Sequence, residues 1–103
     1  MNVFETNIKI ITEEIAKLYE NTDKIIKKDG KVLVDIEFNI TEEQVDNILI
    51  ERVRELLNNF QKEYTEEEFI SLVNKVKKDA VRKINEYRQE NNIKDFEEND
   101  IEK

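Results

Sequence analysis

Hydrophobic residues recur along this chain in two rhythms, and the changes of rhythm mark the elements. Phe4, Ile8, Ile11, Ile15 and Leu18 are spaced four, three, four and three apart, which puts them on one helical face. The spacing predicts a helix over about residues 3–21, with Asn2 and Glu5 placed as a capping box. The alternation of Phe4, Thr6, Ile8 and Ile10 supports a second reading, a strand over 3–10 with a helix starting at Thr12. From Lys24 the period falls to two. Lys24-Ile25-Ile26-Lys27-Lys28 leads through Asp29-Gly30 into a second run. There Val32, Val34, Ile36, Phe38 and Ile40 alternate with Lys31, Leu33, Asp35, Glu37 and Asn39. Asp-Gly supplies the positive φ angles of a two-residue turn, so the pattern predicts a hairpin with one buried face.

The helical period then returns. Val45, Leu49, Val53, Leu56 and Phe60 form one stripe, widened by Ile48, Ile50 and Leu57. Phe69, Val73, Val76, Ala80, Ile84 and Tyr87 form another, widened by Ile70, Leu72 and Val81. The width of the first of these stripes predicts a helix with neighbours on two sides, the sheet and another helix. One tripeptide punctuates the chain three times: Thr12-Glu13-Glu14, Thr41-Glu42-Glu43 and Thr65-Glu66-Glu67. A threonine N-cap accepts a hydrogen bond from a free N–H of the first turn, and glutamates there favour the positive end of the helix dipole. Thr41 with Gln44, and Thr65 with Glu68, extend to capping boxes, so helices are expected to start near 42 and 66. The short joint around Lys62-Glu63-Tyr64 makes those two helices antiparallel neighbours. The expected class is α+β in the order α-β-β-α-α, a β-hairpin packed with three helices. One small domain is expected over 1–93. Residues 94–103 read as an acidic, disordered tail with little to bury.

Composition narrows the chemistry. The 103 residues include no histidine, no cysteine, no proline and one glycine. A zinc site of the usual kind, a thiol nucleophile and a Ser-His-Asp triad are therefore excluded, as are a P-loop and a dinucleotide fingerprint. No cofactor and no metal is expected, and an enzyme is the least expected class. No apolar run approaches a membrane span, and the acidic start lacks the basic residues of a signal peptide, so a cytoplasmic protein is expected. The bias toward Ile, Asn, Lys and Glu suits AT-rich coding, as in a low-GC bacterium or its phage.

The net charge of −8 is unevenly spread. Residues 41–68 hold nine acids against three bases, and residues 69–93 hold six bases against three acids. Residues 94–103 hold five acids against two bases. The like-charge i, i+4 pairs Glu42–Asp46 and Glu51–Glu55 cost a few tenths of a kcal/mol each in an isolated helix, and such repulsion favours a functional acidic surface. The basic run Lys75, Lys77, Lys78, Arg82, Lys83 and Arg88 reads as a solvated face, self-paired through Lys75–Asp79, Asp79–Lys83 and Arg82–Glu86.

The stretch Phe60-Gln61-Lys62-Glu63-Tyr64-Thr65-Glu66-Glu67-Glu68-Phe69, with the hairpin before it, resembles the small acidic phage anti-CRISPR proteins. The similarity covers roughly residues 24–70. It implies a carboxylate surface that imitates DNA and occupies the PAM-reading site of a CRISPR effector nuclease. This chain departs from the family pattern in its longer, basic last helix and its fewer strands.

The expected function is a non-enzymatic binding or inhibitor protein. Its partner would be a protein with a basic groove, such as a nucleic-acid-handling effector, with no direct binding of nucleic acid and no membrane. The candidate contacts are Glu63, Tyr64, Glu66, Glu67 and Glu68, with Asp35 and Glu37 on the open sheet face second. The alternative is a structural or adaptor protein that self-associates through its apolar stripes or strand edge.

Overall fold

The computed structural model describes residues 2–22, 24–28, 31–35 and 40–102, and for residues 24–28 and 31–35 it describes backbone alone. Three helices form the body: α1 (Val3–Glu20), α2 (Glu42–Asn59) and α3 (Glu66–Glu90). Each begins where its cap predicts. The Asn2 side chain accepts from the Glu5 N–H at 2.8 Å. Thr41 and Thr65 both complete reciprocal capping boxes, with Gln44 and Glu68 respectively. The strand reading of residues 3–10 is overturned. Thr12 stays inside α1 because its hydroxyl donates to the Ile8 carbonyl one turn back, at 2.8 Å. That local bond satisfies a buried hydroxyl without breaking the helix.

The fold class is all-α, which corrects the expected α+β class in which a hairpin packs with three helices. Among the described residues, the buried core comes from α1 (Ile11, Ile15, Tyr19), α2 (Val45, Leu49, Val53, Leu56, Leu57), α3 (Phe69 to Ile84) and the segment after α3. All three helices pack on one another. Lys24–Lys28 (β1) and Lys31–Asp35 (β2) run antiparallel, in a register from Lys24 opposite Asp35 to Lys28 opposite Lys31. This ribbon pairs with itself, while the close packing between elements is otherwise helix on helix. A lone two-stranded ribbon is marginal by itself. The Asp29-Gly30 turn and residues 36–39 lie outside the described residues, as do the side chains on which the expected buried sheet face rests.

The wide stripes therefore find neighbours other than a sheet. Those of α2 and α3 close on α1 and on each other, and α3 gains a further partner from the C-terminal segment. Residues 94–101 run back along α3 as an extended strap, burying Phe96 and Ile101 to 6% and 8% exposure. This corrects the expectation of a tail with little to bury. The link is Asn91-Asn92-Ile93, where Asn92 takes a positive φ of 56°. Asparagine is among the few residues that adopt this left-handed conformation readily, so the chain reverses there without glycine. Gln61, with φ of 52°, does the same between α2 and α3.

Two predicted core aromatics lie further out. Tyr87 is 58% exposed. Phe60 sits at the C-cap of α2, edge-on to Phe4 with ring centroids 5.4 Å apart. Two basic residues assigned to the solvated face lie inside instead: Lys77 at 1% exposure and Arg88 at 0%.

Candidate functional site

The acidic corner lies at the joint between α2 and α3. Glu63, Glu66 and Glu67 are exposed there, and Tyr64 is half-buried. The Tyr64 ring lies tilted against Phe69, with centroids 5.6 Å apart. Phe69 is itself fully inside the core and carries the Arg54 guanidinium 4.3 Å above its ring centroid. Tyr64 is thus held by a core aromatic while part of its surface stays open. Beside it is a shallow cavity of about 360 Å³ lined by Leu57, Lys62, Glu63, Tyr64, Glu68 and Leu72. Glu68 has a structural duty, since its Oε1 accepts from the Thr65 N–H at 3.1 Å. The corner therefore brings together five of the predicted contacts, one of them partly committed to the cap. Asp35 ends β2, but its side chain is not described, and Glu37 lies outside the described residues.

A second constellation, at the middle of α3, was not predicted. The Lys77 ammonium is enclosed by three acceptors: Glu42 Oε2 at 2.6 Å, Asp46 Oδ1 at 3.0 Å and the Asn99 carbonyl at 2.5 Å. A buried ammonium is tolerable only when its charge and all three donors are matched in this way. The Tyr19 hydroxyl donates to the same Asp46 carboxylate. Burial first, and then the bond to Asp46, push the Tyr19 phenol above its ordinary range, so it remains a neutral donor. Lys77 also lies 5.3 Å from the Tyr19 ring centroid. The repulsive pair Glu42–Asp46, read from sequence as a sign of a functional surface, instead holds an internal lysine. Two acids of the most acidic segment are thereby structural.

The strap is gripped at intervals along one face of α3. Arg88 Nη1 donates to the Lys94 carbonyl at 3.3 Å, and its Nη2 lies 3.5 Å from Glu20 Oε1 on α1. Asn85 forms a two-way clasp with Phe96, accepting from its N–H at 2.7 Å and donating to its carbonyl at 3.3 Å. Glu42 Oε2 accepts from the Asn99 N–H at 3.1 Å. Asn74 repeats the two-way clasp at Ile101, at 2.9 and 3.0 Å. The grip runs antiparallel, and the lengths match. Seven extended steps from Lys94 to Ile101 span about 23 Å. Fourteen helical steps from Arg88 back to Asn74 span about 21 Å.

Glu98 is the strained member. Its Oε2 is buried with no hydrogen-bond partner. Burial raises its carboxyl above the usual carboxylate range, Lys77 and Lys78 oppose the rise, and Asp100 and Glu42 add to it.

The sequence did contain a signal for the strap: six bases against three acids in residues 69–93 face five acids against two bases in residues 94–103. Each excess screens the other, so residues 69–103 balance and the −8 resides in residues 1–68. Among the described residues no group of His, Cys, Asp and Glu is arranged to hold a metal ion, and no helix is long and apolar enough to cross a membrane. No family model matches the chain, and no curated protein or solved structure does so.

Proposed function

We propose that this chain is a non-enzymatic binding protein that docks its acidic corner on a basic groove of a nucleic-acid-handling partner. The observation that carries this reading is the corner itself, where the exposed Glu63, Glu66 and Glu67 flank along the chain a Tyr64 that packs on the core residue Phe69. A rigid aromatic within a charged rim is the composition of a recognition patch, since aromatic anchors supply contact area and charges supply steering. Charge balance within residues 69–103 adds support, because it leaves the excess negative charge on the part of the chain that carries the corner. The anti-CRISPR resemblance names a candidate partner, a guide-loaded CRISPR effector. The mechanism is occlusion of the partner's DNA-reading groove, with association that slows as salt rises.

The experiment measures binding of a PAM-containing duplex by such an effector with the protein present. The protein is expected to reduce duplex binding, and Glu63→Lys, Glu66→Lys and Glu67→Lys together to abolish that effect. Unchanged inhibition by the charge-reversed protein sinks the acidic-corner reading, and no inhibition by the native protein sinks the choice of effector.

Self-association is the second reading. Tyr87, 58% exposed, borders an apolar groove of about 420 Å³ between α1 and α3 that Ala16 and Ile84 help to line. Sedimentation at micromolar concentration decides it: a dimer lost on Tyr87→Glu supports this reading, and a monomer removes it.

A further inference from the structure

The strap is held in an unusual way for a terminal segment. Its residues form no regular secondary structure. Most of the polar grip is aimed at its main chain: the clasps of Asn85 and Asn74 and the donations of Arg88 and Lys77 all meet backbone groups. Side chains of the strap add two apolar anchors, Phe96 against Tyr19 with centroids 5.8 Å apart, and Ile101, with two polar contacts toward the outside, Gln89 donating to the Asp95 carboxylate at 3.2 Å and the Asn99 amide donating to Glu42 Oε1 at 3.4 Å. Backbone hydrogen bonding for affinity with separate pockets for specificity is the logic by which proteins recognise extended peptides. The receptor here is a helix, and side-chain amides supply the paired donor and acceptor that a strand edge would supply.

We propose that this face of α3 is a binding site for an extended acidic peptide, filled in the resting protein by residues 94–101 and open to a partner strand of the same pattern. The pattern is an aromatic residue with an aliphatic one five positions on, and acidic residues between. Phe96, Glu97, Glu98, Asp100 and Ile101 define it, and the basic excess of residues 69–93 complements it, with Lys77 and Lys78 acting on Glu98. The register is fixed by Asn85 at the aromatic position and Asn74 at the aliphatic one, eleven residues apart on the helix. Asn92 provides the pivot. This site uses none of Glu63, Tyr64, Glu66 or Glu67, so it stands or falls apart from the acidic corner.

A tethered ligand competes at an effective concentration near the millimolar range, so a peptide in trans meets a largely occupied site. The test therefore weakens the strap within the full chain. Phe96→Ser with Ile101→Ser removes both anchors and leaves α3 intact. The probe is a fluorescent synthetic peptide with the native sequence of residues 93–102. Its affinity is expected to rise by about tenfold or more over that for the native chain, because the tethered competitor is weakened. Asn74→Ala with Asn85→Ala on the same background is expected to abolish binding. A scrambled peptide of equal charge and a short DNA duplex are expected not to compete. Failure of the probe to bind a helical, strap-weakened protein overturns the proposal. Equal competition by the scrambled peptide or by DNA reduces the site to a charge effect and also overturns it.

Hydrogen exchange of the native chain gives an independent decision if the weakened variant unfolds. The Phe96 and Ile101 amides are expected to exchange by local opening, faster than those of Val76 and Ala80. Exchange of all four at one common rate makes the strap an inseparable part of the fold and overturns the proposal.

Discussion

At its N-terminal end α3 turns Glu66 and Glu67 to solvent; ten residues beyond Glu67 the same helix encloses Lys77 at 1% exposure. The two regions contain the same kinds of residue and use them oppositely. At the corner, charge stays exposed, and the helix terminus is capped by the Thr65–Glu68 box. Under the strap, charge is desolvated and matched by acceptors from α2 and from residue 99. The position of a charge on a helical face does not settle which case applies. The presence of a counter-charged segment within reach does. α3 has one along its middle and C-terminal part, and its first turn projects beyond the strap's last grip at Asn74.

The contrast can be broken most forcefully at Lys77. Lys77→Met removes the cation and leaves Glu42 and Asp46 facing each other. With both acids partly hydrated, the expected loss is about 2–4 kcal/mol, toward the lower side of values for breaking buried pairs. Urea unfolding measures it, and a loss no larger than that of a surface substitution would show that the buried lysine does not hold α2, α3 and the strap together.

Asn85→Ala is next. It deletes one two-way clasp and leaves the Phe96 N–H and carbonyl to find water, with an expected cost of about 1–2 kcal/mol. Proteolysis of the strap should accelerate in this variant before α1, α2 or α3 loses helicity by circular dichroism.

At the opposite region, Thr65→Ala is expected to cost about 1 kcal/mol through the lost cap. Glu66→Gln and Glu67→Gln should each change stability by less than about 0.5 kcal/mol. Thermal melts of the three variants test whether the exposed glutamates are dispensable for folding, as a recognition surface requires.

The smallest effect carries a sign. Glu98 has a folded-state carboxyl raised above the unfolded value of 4.5, so its ionised form opposes folding. That opposition is present at neutral pH and disappears as pH falls through the folded value toward 4.5. Glu98→Gln is thus expected to stabilise the protein at pH 7 and to make no difference in mild acid below the unfolded value. A stability difference that persists unchanged at low pH would rule out titration as its source.

The helices were readable from sequence because their signals are local. Thr41 and Thr65 with their N3 partners, and the stripe of Val45, Leu49 and Val53, involve residues within a few turns of one another. The strap was not readable for the opposite reason. Phe96 and Ile101 lie in a segment with no periodicity, and their burial depends on Asn85 and Asn74, which look like ordinary surface residues. Lys77 was assigned to solvent because its acceptors come from residues 42, 46 and 99, far along the chain. The α+β class failed at the level of packing: Asp29-Gly30 and the alternation around it concern a turn and a ribbon, whereas the class depends on what covers the helices. The acidic corner was visible as a cluster, but the anchoring of Tyr64 on Phe69 needed the three-dimensional arrangement.

The antiparallel course of the strap also makes the protein its own spectroscopic ruler. Ile101 is fastened to Asn74, nine residues along the helix from Thr65, or about 14 Å. The pivot at Asn92 lies beyond the far end of a helix of 25 residues, about 37 Å long. A donor dye at residue 102 and an acceptor at residue 63 would therefore be close while the strap is docked. They would separate by a large fraction of the helix length when it swings away. Energy transfer between them would report occupancy of the groove and, through the acceptor's surroundings, events at the corner in the same recording.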